Sequence, residues 1–242
     1  LVAGIVLLAC LLAGCGTTSG SSQPKDASSA QRSGGSSQSA SAAVFDLGRD
    51  FSFTANPNGP WRYGFTRGTQ LNLAAFVPDA TSVATSPVGF WHAGPASAGY
   101  YPYIAANTSS STVWDPTHSW PVRAHEVALE ASASGQFAVV EFIVPRAGSY
   151  EIAADFAGVH KHLSTTDAHV LLNDDSLFSA TILGYGGDPA FLPRQGASPT
   201  ASFHATRALR AGDVLSFAIG YGPNHTHFDD TTGLILTIRA VS

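Results

Sequence analysis

Short runs in which apolar and polar residues alternate strictly, each closed by a tight turn, constrain this chain more than any other feature. In Ser149-Tyr150-Glu151-Ile152-Ala153-Ala154-Asp155-Phe156, the side chains of Tyr150, Ile152, Ala154 and Phe156 face one way. Ser149, Glu151 and Asp155 face the other, which is the period of a half-buried strand. The pattern repeats in Ala168, Val170 and Leu172, in Leu215, Phe217 and Ile219, and in Leu234, Leu236 and Ile238. Turn formers separate the runs: Pro145-Arg146-Ala147-Gly148, Asn173-Asp174-Asp175 and Arg210-Ala211-Gly212-Asp213. From Val44 onward no helical period competes. Half-buried strands at this spacing predict an all-β, antiparallel β-sandwich or barrel.

The turns also predict where function sits. A chain shuttling between the two ends of such a fold puts the short turns at 145–148, 173–176 and 208–212 at one end. The long connections at 158–166, 184–199 and 220–232 then gather at the other. They carry His160, His162, Asp188, Arg194, His225, His227, Asp229 and Asp230, and binding groups tend to ride on loops held by a rigid scaffold.

Composition narrows the classes. Charged residues make up 12 % of the chain and the formal net charge is −5, which excludes the basic face that a nucleic-acid partner requires. The uninterrupted apolar run from Leu1 is too short to span a bilayer, and its close, Leu12-Ala13-Gly14-Cys15, resembles the lipobox of bacterial lipoproteins. The resemblance implies a signal segment over 1–14 and lipid on Cys15 as the mature N-terminus. The protein would then be exported and held on the bacterial cell envelope by its anchor alone, at the outer membrane or cell surface. No Met occurs in the chain, so the charged region that opens such a signal is expected ahead of Leu1. Residues 15–43 comprise this cysteine and a Ser/Gly/Ala-rich linker that cannot bury enough surface to fold, a tether of roughly 30 Å r.m.s. span. The single domain, 44–242, contains no cysteine, so its stability must come from a packed core rather than disulfides.

Several motifs occur together. Phe51-Ser52-Phe53 precedes Asn56-Pro57-Asn58-Gly59-Pro60-Trp61-Arg62-Tyr63-Gly64. Further on come Thr166-Asp167-Ala168-His169-Val170-Leu171-Leu172-Asn173, Ser176-Leu177-Phe178-Ser179, Ala211-Gly212-Asp213 and Asp230-Thr231-Thr232-Gly233-Leu234. In combination, over residues 45–242, they resemble a family of bacterial exported β-sandwich proteins, many of which carry C-terminal sorting tags. The A-G-x-Y strand, the N-x-x-S-L-F hairpin and the A-G-D strand are similar to jelly-roll carbohydrate-binding modules. The resemblance implies a jelly-roll-like sandwich and a glycan ligand, and carries over no catalytic residue. The turn at Asn173-Asp174-Asp175 departs from the Asn-Gly turn expected there.

Three groups of residues are candidates for a site. His160-Lys161-His162 and His225-Thr226-His227 are H-x-H pairs, and Asp167 and His169 share one strand face; such a set can ligate a transition metal. Asp229 and Asp230, with Asp188, offer hard oxygen ligands to a structural Ca²⁺, although their spacing is not that of an EF-hand loop. Trp91, Tyr101 and Trp114 are candidate sugar platforms in Gly/Pro-rich surroundings, with Arg194 as a polar partner. Each group also has a structural reading: loop histidines bonded to backbone, Asx turns, or rings plugging the sandwich.

No G-x-S-x-G, H-E-x-x-H or phosphate-loop motif occurs. The sequence therefore favours a non-catalytic carbohydrate-binding domain on a lipid anchor. An enzyme acting on polysaccharide is the second reading, metal-dependent or a lyase using Arg123, His125 and tyrosines. A structural envelope protein that binds another protein is the third.

Overall fold

The computed structural model describes residues 42–67, 70–72, 76–84, 87–94 and 101–241. The expected signal segment, Cys15 and the linker as far as residue 41 lie outside the described residues. Two antiparallel sheets face one another. The first runs β15 (Thr200–Leu209), β11 (Gly148–Gly158), β17 (Thr232–Val241), β9 (Val127–Glu130), β6 (Tyr103–Asn107), β5 (Val88–His92) and β4 (Thr81–Ala84), with β1 (Val44–Asp46) also on β17. The second runs β14 (Gln195–Ser198), β13 (Asp175–Tyr185), β12 (Ser164–Leu172), β16 (Val214–Gly220), β10 (Ala138–Ile143), β2 (Trp61–Thr66) and β3 (Phe76–Pro78). A ribbon of β7 (Val113–Trp114) and β8 (Pro121–Val122) stands apart. Every pairing is antiparallel. Consecutive strands cross repeatedly from one sheet to the other, so of the sandwich and the barrel that the alternating runs imply the fold is the sandwich, jelly-roll-like as the resemblance implies.

The core lies between the sheets. Trp61 and Tyr63 of β2, Phe142 of β10, Ile152 and Phe156 of β11, Phe217 of β16 and Leu236 of β17 are almost wholly buried there. Each such side chain is worth about 1.5–3 kcal/mol over exposure, and this layer replaces the cross-links the domain lacks. A second, smaller cluster covers the outer face of the first sheet, where Val122 of the ribbon and Trp120 just before β8 lie over Val88, Tyr103, Ala105, Ala128 and Val159. Here β5 and β6 are buried on both faces and lose their alternation. The expectation of Trp91 as a sugar platform is therefore corrected: it sits in β5, 6 % exposed, and its indole N–H donates to the Ser52 carbonyl at 2.7 Å.

Direct bonds between the turns show that the short ones share an end. The Val144 amide donates to the Asp213 carbonyl at 2.8 Å, and the Asn173 amide to the Val214 carbonyl at 2.7 Å. At the opposite end the sheets converge so closely that β11 and the chain after β13 bond through backbone, the Gly186 N–H donating to the Gly158 carbonyl at 2.8 Å. A Cβ on Gly158 would lie 2.1 Å from the Gly184 carbonyl oxygen. Gly158→Ala is therefore expected to cost about 1–3 kcal/mol through overpacking. Gly148→Ala, at the other end of β11 with no neighbour nearer than 3.8 Å to the added carbon, should stay within roughly 0.5 kcal/mol. Thermal denaturation of the two variants checks this, and equal melting temperatures would refute it.

Candidate functional site at the loop end

Three long connections meet at the converging end: 159–163 after β11, 186–194 after β13, and 221–231 after β16. Backbone bonds tie them together. The Val159 N–H donates to the Thr231 carbonyl at 3.0 Å, and the Lys161 N–H to the Ser119 carbonyl at 2.9 Å. Lys161 Nζ reaches the His118 carbonyl at 2.9 Å, and Ser164 Oγ donates to the Thr231 carbonyl at 2.8 Å. The turn above β8 is held by the buried Asp115 carboxylate, which accepts from the amides of Thr117, Ser119 and Trp120 at 2.8, 2.6 and 2.9 Å. This end is consequently well ordered by polar contacts before any ligand arrives.

On that scaffold His160, His162 and Asp229 converge, each offering one ligand atom within 4.8 Å of the other two. Both imidazole Nδ1 atoms lie 3.3 Å from Asp229 Oδ1. The His162 amide donates to His160 Nδ1 at 3.2 Å. Burial lowers the His160 pKa below the ordinary imidazole value against the pull of Asp229, with the charges of His162 and Lys161 adding to the effect. His160 is thus a neutral imidazole at neutral pH, the form that binds metals. His162 and Asp229 remain open to solvent, with side chains 61 % and 45 % exposed.

Beside this cluster stands an aromatic ridge. Buried His227 lies between the rings of Tyr101 and Phe228, with centroids 4.5 and 4.3 Å away. Tyr101 in turn contacts Tyr103, which stacks on Trp120 at 5.9 Å. Burial pushes the Tyr101 phenol up to about 12, helped by the negative charges of Glu130, Asp229 and Asp115, so it stays a neutral hydrogen-bonding group.

The other residues singled out from sequence do different work. Asp167 and His169 do share the outer face of β12, where they bond to one another, and Asp167 also accepts the Gly222 amide at 2.6 Å. His225 is exposed against the Tyr221 ring. Asp230 turns inward to accept the Thr165 amide at 2.6 Å, and burial pushes its carboxyl up to about 7. Asp188 is engaged by the Thr112 hydroxyl and the Ala190 amide, which hold its carboxyl below the usual range. Asp188, Asp229 and Asp230 therefore have separate partners. Trp114 is half-buried between His118 and Phe191, and exposed Arg194 bonds Thr200 Oγ1 at 2.8 Å. The Arg123 guanidinium of the lyase reading is engaged by Glu126 and the Gly186 carbonyl.

Sequence reasoning missed the buried acid beneath the ridge. Glu130, 3 % exposed, accepts from Tyr103 Oη at 2.6 Å and from the Thr231 hydroxyl. A single carboxylate closing the apolar run Val127-Ala128-Leu129 was the available signal.

No family model matches the chain and no curated sequence is significantly similar, so the family resemblance stands on its motifs alone. Among solved structures, the CBM51 of Clostridium perfringens GH95 in complex with methyl-galactose is 13 % identical, with 55 % of this chain and 81 % of that one covered and a TM-score of 0.31. A family 35 carbohydrate-binding module from an environmental isolate is 18 % identical over 55 % and 85 % of the chains, with a TM-score of 0.29. Rabbit GITRL matches comparably, at 12 % identity over 56 % and 80 %, with a TM-score of 0.25. Likenesses this loose do not discriminate among functions, and the sandwich assignment rests on the strand pairing.

The buried carboxyls set a pH dependence. Burial pushes Glu130 and Asp79 up to about 8, and Glu141 and Asp230 to about 7. Each then holds a proton that the unfolded chain, with carboxyls near roughly 4, has released, so stability falls as pH rises through the folded values. The lowered imidazoles His92, His160 and His227 oppose this until the unfolded histidines finish titrating, about one pH unit above their midpoint of about 6.5. Between about pH 7.5 and 9 the carboxyl effect stands unopposed, and the melting temperature should drop. Glu130→Gln keeps an acceptor for Tyr103 and Thr231 and should flatten that slope; an unchanged slope would show that Glu130 does not titrate there.

Proposed function

We propose that the domain binds carbohydrate without altering it, at the loop end, and that lipid on Cys15 holds it at the bacterial cell surface. One observation carries the binding reading. Of the four large apolar side chains exposed among the described residues, three (Tyr101, Leu163 and Phe228) belong to the loop end, and Phe228 is 71 % exposed. Leaving an aromatic ring bare on a well-ordered loop forfeits burial energy, which is rational where a ligand will cover it. Sugars match the surroundings of that ring. Their apolar C–H faces stack on rings while hydroxyls bond to groups at the margin, and here the Tyr101 hydroxyl, His162 and Asp229 supply both donors and acceptors. The patch is a few side chains wide and bordered by polar groups, a footprint suited to sugar rings rather than to a protein interface of about 800 Å² per partner.

Electrophoresis of the full chain in mild detergent, through gels holding a panel of polysaccharides, tests the reading. Retardation in at least one gel is expected, with the stain intact, and Tyr101→Ala or Phe228→Ala should abolish most of it. Free migration in every gel would remove the glycan reading for that panel, and a cleared zone would replace it with an enzyme. The anchor has its own test. In detergent phase separation the native protein should enter the detergent phase and Cys15→Ser the aqueous one; equal partition would end the lipoprotein reading.

A further inference from the structure

Among the described residues, one group of side chains brings three metal-ligating atoms together: His160, His162 and Asp229. His160 Nδ1 and His162 Nδ1 each lie 3.3 Å from Asp229 Oδ1, so one carboxylate oxygen is approached by two imidazoles. His160 Nδ1 accepts the His162 amide, which leaves its Nε2 as the ring atom free to ligate. Ligands bonded at about 2.1 Å to one tetrahedral ion are separated by roughly 3.4 Å, and three ligand atoms within 4.8 Å of one another reach that spacing with small side-chain adjustments.

We propose that His160, His162 and Asp229 bind one divalent transition-metal ion, of which Zn²⁺ is the type. Two imidazoles and one carboxylate suit this class. Ca²⁺ does not fit, since it takes six to eight oxygen ligands. Three protein ligands leave a coordination position open, and the exposure of His162 and Asp229 directs it to solvent. Phe228 adjoins Asp229 in the chain, so an oxygen ligand taken up there would lie near the aromatic ridge. His160, buried and seated by its backbone N–H on Ser164 Oγ at 3.4 Å, is the fixed member. Asp229 is presented from a left-handed backbone position, φ 66°, a conformation that Asp adopts more readily than most residues. The site shares His162 and Asp229 with the proposed sugar margin but does not rest on the carbohydrate reading, because it is argued from the convergence of the three side chains alone.

The test uses the full chain, stripped with EDTA and titrated with ZnCl₂ by calorimetry, and with CoCl₂ followed by visible absorption. One Zn²⁺ per chain is expected, and Co²⁺ should develop the ligand-field bands of a four- or five-coordinate site. His162→Ala and Asp229→Ala are solvent-facing changes that should leave the fold intact by circular dichroism. Each should weaken binding on the order of tenfold or more, since losing a ligand costs at least what losing its supporting group does. His225→Ala removes an exposed histidine of the other H-x-H pair and should bind as the native chain does. Absence of stoichiometric binding would overturn the proposal. So would equal weakening by His225→Ala, or unaltered binding in both ligand variants.

Discussion

The close approach of the two sheets at one end governs the site. Facing sheets ordinarily stand about 10 Å apart, filled by side chains. Where β11 leaves the first sheet and β13 the second, only backbone separates them: Gly158 lies against the Gly184 carbonyl, and Gly186 bonds back to Gly158. Side chains cannot fill that end, so the chain beyond it is displaced outward as loops. Val159, the residue after Gly158, bonds to Thr231 in the third connection. The pinch therefore sets where His160 and Asp229 emerge, and the remaining contacts refine that placement.

Beneath the loops lies a floor that is polar rather than oily. Glu130 joins Tyr103 and Thr231 in a fully buried network, and Asp230 and Ser164 tie the loop bases to neighbouring strands. Buried carboxyls are destabilising unless protonated or bonded. Glu130 is both bonded and pushed up to about 8, a state compatible with its surroundings at neutral pH. Such a network fixes geometry because each member can satisfy its partners in only one arrangement. Apolar packing alone would let Tyr101 and Tyr103 shift relative to the histidines.

Much of this was legible in the sequence, and the boundary has a physical cause. Strands β11, β16 and β17 present one inner face, so their alternation and the separation of short turns from long loops could be read directly. Strands β5 and β6 could not be read, because the ribbon β7–β8 covers their outer face and both sides turn apolar. For the same reason Trp91 reads from sequence as a candidate sugar platform rather than a core residue. The candidate metal ligands on the long connections shared an end of the molecule, but among the described residues only His160, His162 and Asp229 converge. Same-side placement at alternate residues holds for extended backbone, whereas Leu163, His225 and Asp229 take left-handed conformations that redirect the chain at those points. Asp167 and His169 stayed in a strand, kept their shared face and satisfied each other.

The loop end is also where the domain gives up stability. It holds bare Phe228, a buried acid and two imidazoles gathered on one carboxylate, in a domain without a single cysteine to staple them. Any species that binds the folded loops and not the unfolded chain adds RT ln(1 + [L]/Kd) to stability, about 2.7 kcal/mol at one hundred times Kd. An ion held by His160, His162 and Asp229 and a sugar over the ring would act on different features, one electrostatic and one of exposed apolar surface. The features that cost stability at this end are the ones that a ligand would turn to advantage.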